Sequence, residues 1–300
     1  METGIDPKVD YAFKRVFAGD ESREILLNLL NAVLNRPEDR PLCEIEVLNP
    51  FSQKETLDDR LAILDVKARD DQGREFIIEM QMLAHREFRE RLLFYLAKDY
   101  SQQLKEGDLW ETLRPVIVVC FINDVLCPET TGYHGRYELL DSDTGMRFSS
   151  HWGIHVFELP KFHKPVTELD SDIERWTFFL QHGEELDPDN LPASLQTPSI
   201  RLATGVLEKM SHNTLERDQY EARQRNLRDD ASRLANAEEK GQVKATRAVI
   251  LQIGTKRIGT PPTEVVAQLN GIDDLDRLVQ LADRILDCPT WDTLLEGNPK

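Results

Sequence analysis

Asp65 and Glu79 are the two side chains of this 300-residue sequence whose placement most needs a chemical explanation. They lie in two short segments, 61–67 and 74–82, separated by a stretch containing Arg-Asp-Asp-Gln-Gly, turn chemistry that predicts a β-hairpin. Successive strand residues alternate between faces, so Phe76, Ile78, Met80 and Met82 share one face while Glu75, Ile77, Glu79 and Gln81 share the other. In the first segment Ala62, Leu64 and Val66 alternate with Leu61, Ile63, Asp65 and Lys67. Keeping the apolar faces on one side pairs Ala62, Leu64 and Val66 with Met82, Met80 and Ile78, so that paired numbers sum to 144. That register leaves Asp71-Gln72-Gly73 as the loop, with Gly73 at the position that commonly demands a left-handed backbone. It sets Asp65 opposite Glu79, with Gln81 and Lys67 projecting from the same face.

Directly paired strand residues have Cβ atoms roughly 4.5 to 5.5 Å apart, close enough for two carboxylates to share one divalent cation. Two such acids repel unless they are protonated, paired with a cation or metal-bound, and Mg²⁺ is one resolution. The competing reading is a solvated sheet face on which Lys67 offsets both acids. Other groupings carry less chemistry. His151 and His155 stand four apart in a strand-like stretch with no third ligand in view, and the sequence holds no P-loop, GxSxG or zinc-finger spacing. Cys43, Cys120, Cys127 and Cys288 form no CxxC pair, and Cys43 and Cys120 sit in apolar stretches where a buried thiol is expected. The expectation is a reduced, cytoplasmic protein without structural zinc.

The elements that must position the acids are legible around them. Asp6 reads as an N-cap with Pro7 at the first helical position, and Val9, Ala12, Phe13, Val16 and Phe17 follow helical spacing. A second helix is expected over 21–34 and an alternating strand over 42–48. After the hairpin, Phe88, Leu92, Tyr95, Leu96 and Tyr100 outline an amphipathic helix over 87–105, closed by Gly107. An apolar strand follows over 115–122, weaker strands over 137–140 and 153–159, and a helix over 172–182. Phe157 and Leu159 read as core. Beyond Pro198 the strand signals stop. Residues 201–250 carry ten bases against eight acids in a polar helical stretch that reads as a connector, and 245–296 reads as three or four short helices.

Composition narrows the classes. Hydrophobic residues make up 40% and charged residues 30% of the sequence, with no apolar run near the roughly 20 residues a bilayer span needs. No apolar h-region opens the sequence, so neither export nor a membrane location is expected. A net charge of −17 argues against a broadly basic coat for nucleic acid, so any surface meeting DNA must be local, as Arg86, Arg89 and Arg91 would provide.

Several motifs in order carry a family likeness: DPKVDYAFKRVF, LLNLLNAVL, ILDVKARDDQGREFIIEMQM, FRERLLFYLAKDYSQQLKEGDLW and HVFELPKF. Together they resemble the recombination-promoting nuclease and putative transposase family of the PD-(D/E)xK nuclease superfamily. The resemblance implies an α/β fold: a restriction-endonuclease-like core with a mixed central sheet flanked by helices, plus a helical C-terminal region. It divides the sequence into a nuclease-like domain over 1–198, a helical connector over 199–244 and a small helical domain over 245–300. It implies that Asp65 and Glu79 are metal ligands for Mg²⁺ or another divalent cation, that Asp10 is the supporting acid on the first helix, and that Gln81 stands beside the scissile phosphate. Gln81 replaces the lysine of E-x-K, a variant the family also uses. A glutamine cannot offset phosphate charge, so Lys67 is expected to do so from the neighbouring strand. Arg91 and Tyr95, one helical turn apart, are candidates for contact with DNA phosphate, with ordinary helix packing as their alternative. The implied activity is metal-dependent hydrolysis of DNA phosphodiesters linked to recombination or mobile elements. The rival is an inactive, transposase-derived protein that binds DNA or recruits a partner. The C-terminal helices are candidates for homo-oligomer formation.

Overall fold

The computed structural model describes residues 1–35, 41–49, 66–83 and 87–295. Among these the chain forms helices α1 (Asp10–Ala18) and α2 (Ser22–Val33), strands β1 (Ile45–Val47), β2 (Val66–Asp70) and β3 (Glu75–Gln81), then helix α3 (Phe88–Gln102) and strand β4 (Val116–Ile122). A hairpin of β5 (His134–Leu140) and β6 (Arg147–Glu158) follows, with helices α4 (Asp172–His182), α5 (Pro198–His212) and α6 (Thr214–Arg257), and finally α7 (Thr263–Asn270), α8 (Leu275–Arg284) and α9 (Trp291–Leu295).

Among the described residues the sheet has six strands in the order β1-β2-β3-β4-β6-β5. The β3–β4 and β4–β6 pairs are parallel and the rest antiparallel, giving the mixed sheet that the sequence implied. Helices cover both faces. Ile77 packs with Val118, Cys120, Ile122 and Val156 against Phe88, Leu92 and Leu96 of α3. Phe76 and Ile78, fully buried, alternate to the opposite face, where α1 and α2 pack over β2 and β1. Phe157 and Leu159 are fully buried as expected.

The β2–β3 register matches the sequence-derived one: Val66 pairs with Ile78, Lys67 with Ile77, Ala68 with Phe76 and Arg69 with Glu75. Gly73 has φ +78°, a left-handed conformation that suits a residue without Cβ. Asp70 fixes the loop, its carboxylate accepting from the backbone N–H groups of Gln72 at 3.0 Å and Arg74 at 2.9 Å.

Several boundaries differ from expectation. The first helix begins at Asp10, because Asp6 closes a preceding turn and its Oδ1 accepts from the Lys8 backbone N–H at 2.9 Å. Strands β5 and β6 are longer than their apolar patterns, since their outer ends are solvent-exposed and carry no burial signal. Cys120 is buried, but Cys43 is exposed just before β1.

The chain divides into two compact units, Met1–Gln224 and Arg225–Lys300. The first unit includes α5, which buries Ile200, Ala203, Val206, Leu207 and Met210, and buried Tyr220, which accepts a hydrogen bond from the Asp6 backbone N–H at 2.9 Å. In the second unit Ile250, Val265, Leu269, Leu278 and Leu294 form a core with Trp291. Gly254 is required there, because a Cβ at that position would meet the Trp291 ring at 2.1 Å. Asp274 caps α8 by accepting from the Arg277 backbone N–H at 3.1 Å. No helix among the described residues is long and apolar enough to cross a membrane.

Candidate active site

The face of β3 that carries Glu75, Ile77, Glu79 and Gln81 lies on the α3 side of the sheet, because Ile77 belongs to the apolar cluster beneath that helix. Glu75 and Glu79 are each 4% exposed, which makes this a buried polar row and not a solvated sheet face. Buried charges require partners.

Helix α3 brings two charged groups to this row from positions eight residues apart. Near its start Arg91 donates from Nη2 to Gln81 Oε1 at 2.6 Å, and the same guanidinium lies 5.6 Å from the centroid of the Phe88 ring. Gln81 in turn donates from Nε2 to Glu79 Oε2 at 3.3 Å. The result is a chain from guanidinium to amide to carboxylate. Two turns further along α3, Asp99 reaches Lys67, whose Nζ lies 2.9 Å from Asp99 Oδ2 and 3.2 Å from Glu75 Oε2. Arg69 adds a 2.7 Å ion pair to Glu75. Burial alone would lower the Lys67 pKa, but Asp99 and Glu75 outweigh it and hold the ammonium above its ordinary value.

The expected site residues are therefore distributed as follows. Glu79, Gln81 and Arg91 come together. Lys67 lies on the same sheet face, but its ammonium is held by Glu75 and Asp99. Tyr95 packs against the apolar cluster under α3. Asp10 lies at the start of α1, where its Oδ1 accepts from the Tyr11 backbone N–H at 2.8 Å and its Oδ2 is 3.7 Å from Arg223 Nη1. Asp65, the expected partner of Glu79, lies outside the described residues, as does Arg86. Arg89 donates to the Leu126 carbonyl at 2.9 Å. Among the described residues no three His, Cys, Asp or Glu side chains converge as a complete metal shell would need. His151 and His155 go separate ways: His151 Nδ1 is 3.0 Å from the Tyr100 hydroxyl, and His155 Nδ1 is 3.0 Å from His134 Nε2.

Asp99 was not singled out from the sequence, although a signal existed. It is a lone acid in line with the apolar stripe of Phe88, Leu92 and Leu96, where only a buried cation would make it tolerable.

A mixed sheet with an antiparallel hairpin that presents an E-x-Q sequence beneath a basic helix position defines an α/β protein of the PD-(D/E)xK nuclease-like class. The sequence model of the PD-(D/E)XK nuclease family transposases matches residues 7–237, and the chain belongs to that family. No curated protein and no solved structure matches the chain.

Proposed function

We propose that this protein is a divalent-cation-dependent DNA endonuclease, cytoplasmic and linked to recombination or mobile elements. The observation that carries the reading is the chain of contacts from Arg91 through Gln81 to Glu79, on a hairpin whose described pairs, from Val66 with Ile78 to Arg69 with Glu75, follow the register expected from the apolar alternation. Asp65 and Glu79 hold the cation. The hard oxygen donors of a carboxylate suit Mg²⁺, and Glu79 is buried beside an amide that keeps one of its oxygens oriented. A cation bound there would act as a Lewis acid, lowering the pKa of a bound water and offsetting charge that develops on the phosphate.

The protein's own groups divide the remaining work. Gln81 orients Glu79 and faces the scissile phosphate. Arg91 fixes the Gln81 amide and brings the positive charge that glutamine lacks. Lys67 contributes at one remove, keeping Glu75 and Asp99 neutralised within the same polar row. DNA is the substrate, met by local basic groups, since a net charge of −17 makes binding weak and salt-sensitive.

The test is nicking of supercoiled plasmid with Mg²⁺ by the parent and by Asp65→Asn and Glu79→Gln, beside a DNA-binding assay. Cleavage by the parent and its loss in both variants is expected. Variants that cleave like the parent would refute the site, and DNA binding without cleavage in the parent would favour the inactive, transposase-derived reading.

A further inference from the structure

The sheet carries a second polar hollow, on the face opposite Glu79. Val156 belongs to the cluster under α3, so Gly153 and His155, at alternate positions of β6, look the other way. Over Gly153 opens a pit of about 330 Å³ walled by Arg74, Arg136, Arg147, Glu138 and His155. Gly153 makes the floor by lacking a side chain. A Cβ there would have Ile117 at 3.9 Å as its nearest neighbour, an ordinary contact, so a larger residue would fill the pit without backbone conflict.

The charges do not balance. Arg136 and Arg147 both bind the Glu138 carboxylate, Arg136 through Oε1 and Arg147 through Oε2, with Arg147 Nη2 at 2.7 Å. Two guanidinium groups on one carboxylate leave a full positive charge in excess. Arg74 lines the pit from the position just before β3, where its Nε pairs with Asp70 Oδ2 at 2.6 Å. Guanidinium groups brought together from β5, β6 and the turn before β3 match the several oxygens of a phosphate better than a single planar carboxylate, and they need no base contact to do so.

We propose that this pit is a binding site for a phosphate group, either free or carried on a mononucleotide, separate from the proposed cleavage site and independent of it. The test is titration of the full chain, in buffer without divalent cations, with inorganic phosphate, adenosine 5′-monophosphate and adenosine, followed by calorimetry. Phosphate and the monophosphate should bind and adenosine should not. Arg136→Gln and Arg147→Gln, both at exposed positions, should each weaken binding at least tenfold with an unchanged circular dichroism spectrum. Gly153→Val should abolish it by filling the floor. A monophosphate that binds tenfold tighter than phosphate assigns the site to nucleotides, and equal affinities assign it to free phosphate. The proposal fails if the parent binds neither, if adenosine binds as well as its monophosphate, or if both arginine variants bind like the parent.

Discussion

Arg91 and Gln81 are joined by a 2.6 Å hydrogen bond from guanidinium to amide oxygen, and this bond turns the Gln81 amino group toward Glu79. A helix and a strand thereby share one polar unit. Among the described residues the cation bonded to the E-x-Q sequence is Arg91 of α3, while Lys67 pairs with Glu75 and Asp99.

Replacing Arg91 tests that arrangement. Arg91→Ala should lower plasmid nicking by about 100-fold, the scale of losing one preorganised charged donor. Arg91→Lys should recover only part, because an ammonium restores charge without the planar fork. Thermal unfolding of both variants should stay close to the parent's; cleavage unchanged in Arg91→Ala would sink the assignment.

Lys67 should behave as a structural cation. Its removal in Lys67→Met leaves Glu75 and Asp99 buried with their shared ammonium gone, a change expected to cost about 2 to 4 kcal/mol in denaturant unfolding. Adding Asp99→Asn to Lys67→Met should recover part of that loss, since one uncompensated charge goes with it. Additive losses in the double variant would contradict the pairing.

His155 gives the fold an acid sensitivity. Burial, reinforced by His134 and Arg136, pushes its pKa down to about 4 from the ordinary value of 6.5. Between these values the unfolded chain binds a proton that the folded chain does not, so folding stability rises with pH and falls as pH drops from about 6.5 toward 4. The full effect is about 3 kcal/mol, from 1.36 kcal/mol per unit. His155→Gln should therefore gain on the parent as the solution is acidified. Parallel stability curves from pH 7 to pH 4 would show that His155 is not the group responsible.

Gly254→Ala should loosen the C-terminal helical unit. Its methyl group would overlap the Trp291 ring, an overpacking expected to cost about 1 to 3 kcal/mol. The readout is the tryptophan fluorescence transition together with plasmid nicking, and nicking should not change, because the proposed cleavage residues all lie in the first unit.

Alternation alone determined much of the hairpin from the sequence. With a period of two, a single-residue slip would have turned Phe76 and Ile78 away from the core, so the apolar pattern fixed the pairing sum of 144 that Val66 with Ile78 obeys. The same logic found α3 and the buried strand β4, whose apolar residues report their own burial. It did not find the full length of β5 and β6, because exposed strand ends carry no hydrophobic signal. Nor could it place Tyr220, whose packing beside Asp6 depends on chain segments far apart in sequence.

Partner choice within the polar row was decided only by the tertiary structure. Sequence spacing put Lys67 on the same face as Glu79 and Gln81, but an ammonium on four flexible bonds goes wherever buried carboxylates need it. Asp99, on a different element, drew it toward Glu75. Arg91 was a candidate for phosphate contact with helix packing as its alternative, and its contact with Gln81 exists because α3 crosses the sheet over the end of β3. Strand register follows from local alternation; the pairing of long charged side chains follows from where the helices come to rest.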